Sequence, residues 1–178
     1  ARERTYVSRK TATAVGALFL TAMVTSLGGG IWLDSFLAGP EYLSTVSANQ
    51  TGVVTGVLLE LINCVAVVGI AALMYPILKT QSEALAIGYV GFRVVETTLL
   101  VVAALSPLSM IALSQEYLAA GAADATSFLT LGAVLMAARG HLIGLLVALF
   151  FSLGALLLYY ALYQTRLVPR FISIWGFI

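Results

Sequence analysis

An all-α membrane protein, a bundle of several spanning helices, is what the sequence predicts, and three observations predict it. Hydrophobic residues make up 61% of the 178-residue chain and charged residues 10%, whereas a soluble domain carries about 25% charged residues. The mean hydropathy is +1.02, and a chain of this length needs far more polar surface to stay in water. The apolar residues also fall into four runs. Each can cross a hydrocarbon layer of roughly 30 Å, which takes about 20 helical residues. Only helices and closed barrels satisfy their backbone in lipid. The runs lack the period-two alternation of barrel strands. A single transmembrane helical domain is therefore expected over residues 1–178.

The first span is TATAVGALFLTAMVTSLGGGIWL, Thr11 to Leu33. It is too long for the apolar region of a signal peptide and lacks an obvious A-x-A cleavage site, so it reads as a retained span. The second runs from Gly52 to Leu78, the third from Ala84 to Leu113, and the fourth from His141 to Tyr163. The segment FISIWGFI, Phe171 to Ile178, is apolar but too short to cross, and reads as the start of a fifth helix. Further C-terminal helices are expected beyond it. The first residue, Ala1 rather than Met, points to trimming or processing.

Lysines and arginines set the expected orientation. Arg2, Arg4, Arg9 and Lys10 precede span one, Lys79 follows span two, and Arg166 and Arg170 follow span four. The segment between spans one and two has Asp34 and Glu41 and no basic residue. The segment between spans three and four has Glu116, Asp124 and, at its end, Arg139. Basic loops stay in the cytoplasm, which puts the N-terminus inside. Short interfacial helices are expected in the outer loops. After Pro40, the residues Tyr42, Leu43 and Val46 suit one of them, with Ser47, Asn49 and Thr51 as caps for span two. Asn49-Gln50-Thr51 also matches the glycosylation sequon, a weaker reading than a cap outside a eukaryote. In the second outer loop Asp124 can cap a helix from Ala125 to about Ala138, with Phe128, Leu131, Leu135 and Ala138 on one face. That helix either lies on the membrane surface before Gly140 turns the chain inward, or extends span four.

Several function classes drop out. A net charge of +1 leaves no basic face for nucleic acid. Cys64 is the only cysteine, so no intrachain disulfide or cysteine-built metal site is possible, and His141 is the only histidine. No HExxH, GxSxG, P-loop or dinucleotide fingerprint occurs. The balance leans away from an enzyme, and no cofactor is implied.

The remaining chemistry lies inside the spans. A charge at the centre of a spanning helix costs about 2.5–3.5 kcal/mol on insertion scales, so such groups face the bundle interior and find partners. Glu60 and Asn63 share a face of span two, and Arg93 and Glu96 share a face of span three. The short turn KTQSEA joins the two spans as an antiparallel hairpin. With Pro76 level with Leu85, Asn63 lies about 3 Å from the level of Glu96 and Glu60 about 7.5 Å from it. An Asn63–Glu96 hydrogen bond is within reach, and a Glu60–Arg93 contact needs a tilt. Two carboxylates against one guanidinium leave one negative charge over. Either a glutamate is protonated, Glu60 being the better candidate, or another cation helps. Arg139 and His141, at the outer end of span four, are the spare cations nearby. The cluster is a polar clamp between helices or a proton or ligand site, with the clamp favoured.

The stretches LLELINCVAVVGIAALMYPILK, ALAIGYVGFRVVE and FFSLGALLLYYALYQTRLVPRFISIWGFI carry a resemblance over nearly the whole chain. GYVGFR and LVPRFISIWG are its most specific parts. On these segments the chain resembles a bacterial integral-membrane family of unknown function, the domain of unknown function 4386 family. The resemblance implies a bacterial cytoplasmic membrane and a bundle of six helices in a somewhat longer chain. It supplies no reaction and no substrate. Before span four the family tends to show an acid and a tryptophan, where this chain reads ARGHLIG. The expected function is that of a non-enzymatic protein of the lipid bilayer, either an accessory or structural subunit working with other membrane subunits or a binder of a lipophilic ligand. The alternative is a small proton-coupled transporter or channel using Glu60, Arg93 and Glu96, and a membrane enzyme comes third.

Overall fold

The computed structural model describes residues 9–120 and 125–165. Arg2, Arg4, Asp124, Arg166, Arg170 and the segment 171–178 lie outside the described residues. In chain order the helices are α1 (Arg9–Leu37), α2 (Tyr42–Ala48), α3 (Gln50–Lys79), α4 (Glu83–Ala120), α5 (Ala125–His141) and α6 (Ala148–Thr165). A six-residue π-helical segment, Leu142–Val147, joins α5 to α6. Among the described residues, four helical stretches are long and apolar enough to cross a membrane: α1, α3, α4 and the continuous run Ala125–Gln164. The segment before span four is thus an extension of that span. Gly140 does not turn the chain, because α5, the π segment and α6 follow one another without a break.

Lipid solvates apolar side chains, so these helices can turn large apolar residues outward as well as inward. Leu20, Val24, Leu27 and Ile31 of α1 all face outward. On the other side of α1 Gly29 lies against Leu59 and Glu60 of α3, where a Cβ would come 3.0 Å from the Leu59 Cβ. Gly56 of α3 is equally tight against Leu33 of α1, 3.1 Å by the same measure. Small residues at such crossings let two backbones approach, and packing is what holds helices together in lipid.

The hairpin α3–α4 is the centre of the bundle. Its turn is closed by backbone N–H groups of Gln81 and Ser82 donating to the Leu78 carbonyl. Lys79 and Glu83 pair across it at 2.9 Å on the exposed surface. Deeper in, the Cys64 Sγ lies 3.9 Å from the Thr97 carbonyl oxygen, which agrees with Pro76 level with Leu85. The loop between the first two spans forms the short helix α2, as its apolar residues predict. The expected cap of span two is different in kind. Asn49 stands at the N-cap position of α3 but makes no side-chain cap bond. Its amide instead donates to the Thr45 carbonyl at 2.9 Å and closes the end of α2. One residue serves as the boundary of both helices, and its side chain can serve only one.

Two hydrophobic cores fill the bundle. One, near the α3–α4 turn, gathers Ile70, Met74, Leu78, Ala86, Tyr89 and Leu158. The other, towards α2, gathers Leu33, Leu43, Val46, Val53, Met110 and Leu113. Phe128 and Leu135 of α5 pack on the second core, whereas Leu131 and Ala138 are exposed. Along α3 the two cores leave a gap from Val53 to Ile70, and along α4 from Tyr89 to Met110. Every buried Glu and Arg among the described residues falls in that gap or reaches into it.

Candidate functional site

Glu60 on α3, Arg93 and Glu96 on α4, and Arg139 on α5 are all buried, with 3–9% of their surface exposed. They form two ion pairs. Arg93 Nη1 donates to Glu96 Oε2 at 2.7 Å, one helical turn along α4. Arg139 Nη2 donates to Glu60 Oε1 and ties α5 to α3. The formal charges of the four side chains therefore sum to zero. Glu60 is not the acid left over that counting spans two and three suggests, because its counter-ion comes from the second outer segment.

Arg139 does a second thing. Its Nη1 donates to the Ala103 carbonyl at 3.0 Å. Ala103 stands four residues before Pro107, a proline inside α4. Proline has no N–H, so the carbonyl four residues back loses its helical donor. In lipid such a carbonyl must find another partner, and Arg139 supplies it. One guanidinium thus neutralises α3 and repairs α4. Ser106 adds a bond from α4 to α5, its hydroxyl donating to the Leu135 carbonyl at 2.8 Å.

The other arginine is held by α6. The Arg93 guanidinium lies 4.9 Å from the Phe151 ring centre and 5.5 Å from that of Tyr89. A cation over an aromatic face gains from the ring quadrupole, more so away from water. Gly154 makes room for it, since a Cβ there would come 3.2 Å from the Arg93 Nε. Between the pairs sits Cys64, buried and one turn from Glu60 along α3. The line Arg93, Glu96, Cys64, Glu60, Arg139 runs through the middle of the bundle and touches α3, α4, α5 and α6. Two of its polar atoms, Glu60 Oε2 and Arg93 Nε, are buried without a partner among the described residues.

Two of the sequence-derived candidates stand apart. Asn63 makes no hydrogen bond to Glu96, which bonds Arg93 instead. Successive helical residues are turned by about 100°, so with Cys64 facing α4, Asn63 points away to the flank and is half-buried. Likewise Glu60 and Arg93 do not pair. His141 is exposed, with Nδ1 2.6 Å from the Ala137 carbonyl. Two residues beyond Arg139, it lies on the opposite side of the helix. Position along the membrane normal was thus legible, and rotation about each helix axis was not. A signal for Arg139 did exist in the sequence: Pro107 frees a carbonyl inside a span, and the outer segment offers one arginine.

On the lipid-facing side of the hairpin a shallow groove of about 410 Å³ is lined by Cys64, Val65, Val68, Thr97, Thr98 and Val101. The hydroxyls of Thr97 and Thr98 are already used, donating to the backbone carbonyls of Arg93 and Val94. The groove therefore presents an apolar surface to its surroundings.

A family model described as domain of unknown function (DUF4386) matches residues 14–178. No curated protein and no solved structure matches the chain.

Proposed function

Since the chain belongs to the DUF4386 family, whose description names no activity, we propose from its own geometry that it is a non-enzymatic membrane scaffold, an accessory or structural subunit of a membrane complex. One observation carries this reading: each buried carboxylate is bound by its own buried guanidinium, and each guanidinium is held by a second element. A site that takes up and releases protons needs a carboxylate free to change its charge. Here a proton on Glu60 would leave Arg139 without its counter-ion inside the bundle, a costly state. The cluster acts as a brace that sets the rotation of α3, α4, α5 and α6 against one another.

Its home is the bacterial cytoplasmic membrane, with the N-terminus inside. The exposed pair Lys79–Glu83 at the α3–α4 turn then faces the cytoplasm, and α2 faces out. The unpartnered Glu60 Oε2 and Arg93 Nε favour a second reading, a small proton-coupled transporter using Glu60, Arg93 and Glu96. Purified protein in proteoliposomes with a pH-sensitive dye inside separates the two. The brace predicts no proton flux above empty vesicles, with Glu60→Gln and Glu96→Gln lowering only thermal stability and assembly. Flux in the wild type that either substitution abolishes, at unchanged folding, refutes it.

A further inference from the structure

The run from α5 to α6 is one helix with two duties. Arg139, before the π segment, reaches Glu60 and Ala103. Gly154 and Phe151, after it, pack on Arg93. Both halves must therefore show the same side to α4. The buried residues Gly132, Arg139, Val147 and Gly154 mark that side, and their spacings are seven, eight and seven residues. Seven residues of α-helix turn through about 700°, within about 20° of two full turns. Eight turn through about 800° and overshoot by about 80°. A pure α-helix would thus carry Val147 and Gly154 about 80° off that side, or take Arg139 off Glu60. The π segment Leu142–Val147 falls inside the eight-residue step. A π turn closes from residue i to i+5 and so holds an extra residue per turn.

We infer that the π segment is a register device: it absorbs one surplus residue so that a single helix braces both ion pairs, and its passage to α-helix would swing Arg139 away from Glu60. Both ends of this helix are fixed to other elements. The Tyr42 hydroxyl donates to the Leu129 carbonyl at 2.7 Å, and Ser106 holds Leu135. Gly88 of α4 lies against Leu157 of α6. Neither half can turn freely to take up a phase error, so the segment between them must. The inference stands on helix geometry and holds for a scaffold and for a transporter alike.

Three length variants of the whole chain in detergent test it. Deleting the exposed Leu145 makes the spacing seven, seven, seven, and the segment can become α-helix with both pairs intact. The melting temperature is expected within about 3 °C of wild type. Deleting the exposed Val134, between Gly132 and Arg139 where no surplus exists, is expected to lower it by about 10 °C or more. Inserting one alanine after Leu145 is expected to do the same. Glu60→Gln should still lower the melting temperature in the Leu145-deleted chain, because the pair survives, and should have no further effect in the insertion variant. If loss of Leu145 is as damaging as loss of Val134, or abolishes the effect of Glu60→Gln, the inference is overturned.

Discussion

Replacing Arg139 by methionine tests the brace most directly, because one side chain has two buried partners. Methionine keeps much of the length and none of the charge. The first loss is the counter-ion of Glu60, and breaking a buried pair from one side costs about 3–5 kcal/mol, since a charge remains unpaired. The second is the donor to the Ala103 carbonyl, about 1–3 kcal/mol for a buried acceptor left without a partner. Protonation of Glu60 relieves part of the first loss, so the net expectation is about 3 kcal/mol, or roughly a hundredfold in the folding equilibrium. Reversible unfolding in mixed detergent micelles, followed by far-ultraviolet circular dichroism, reads it. The pattern across variants matters more than the size. Adding Glu60→Gln to Arg139→Met should recover most of the loss, because no buried charge remains. Adding Pro107→Ala as well should recover more, by returning an N–H to the Ala103 carbonyl. A double variant no more stable than Arg139→Met alone would sink the account of charge pairing. A Pro107→Ala effect that is the same with and without Arg139 would sink the account of carbonyl repair.

Other outcomes follow from single contacts. Gly154→Val sets a side chain against the Arg93 guanidinium and should cost about 1–3 kcal/mol. Gly91→Ala in α4, where a Cβ meets nothing within 4 Å, should stay within about 1 kcal/mol of wild type or gain stability; equal losses at the two sites would refute the packing of α6 on Arg93. Tyr42→Phe removes the bond to the Leu129 carbonyl and should cost about 1 kcal/mol. Burial raises the Tyr42 phenol above its usual 10.0. A raised acid gives stability that is full below its unfolded value and is lost as pH rises through the folded one. The gap between wild type and Tyr42→Phe should therefore be constant below about pH 9 and close above about pH 10 in a pH series of melts. Lys79→Ala breaks an exposed, solvent-screened pair at the α3–α4 turn and should leave the melting temperature close to that of wild type.

The spans were legible because lipid imposes a coarse demand that composition meets directly. Thr11 to Leu33, Gly52 to Leu78 and Ala84 to Leu113 each fall inside one observed helix. The ends were less so: α4 runs on to Ala120 and α5 begins at Ala125, since a helix can continue beyond the hydrocarbon layer through residues such as Gln115 and Glu116 that suit water. Within the site, the Arg93–Glu96 pair was legible because both residues lie on one helix at a fixed spacing. Asn63 was misjudged because a level along the axis says nothing about rotation around it. Arg139 could be named as a spare cation, but its partner lies 79 residues away in the chain, and no local pattern joins them.

By itself the sequence determined that this chain is a bundle of membrane helices. It also determined that few charges enter the bundle and that α3 and α4 form a hairpin. Apolar length and short polar turns act locally, and each leaves its mark on consecutive residues. Only the tertiary structure decided which charges meet. Pairing Glu60 with Arg139 depends on how α5 is turned, and that turn depends on a π segment that shows in no composition and no simple period. Bundle geometry brings each buried carboxylate to its own guanidinium, and the proposed brace rests on that pairing.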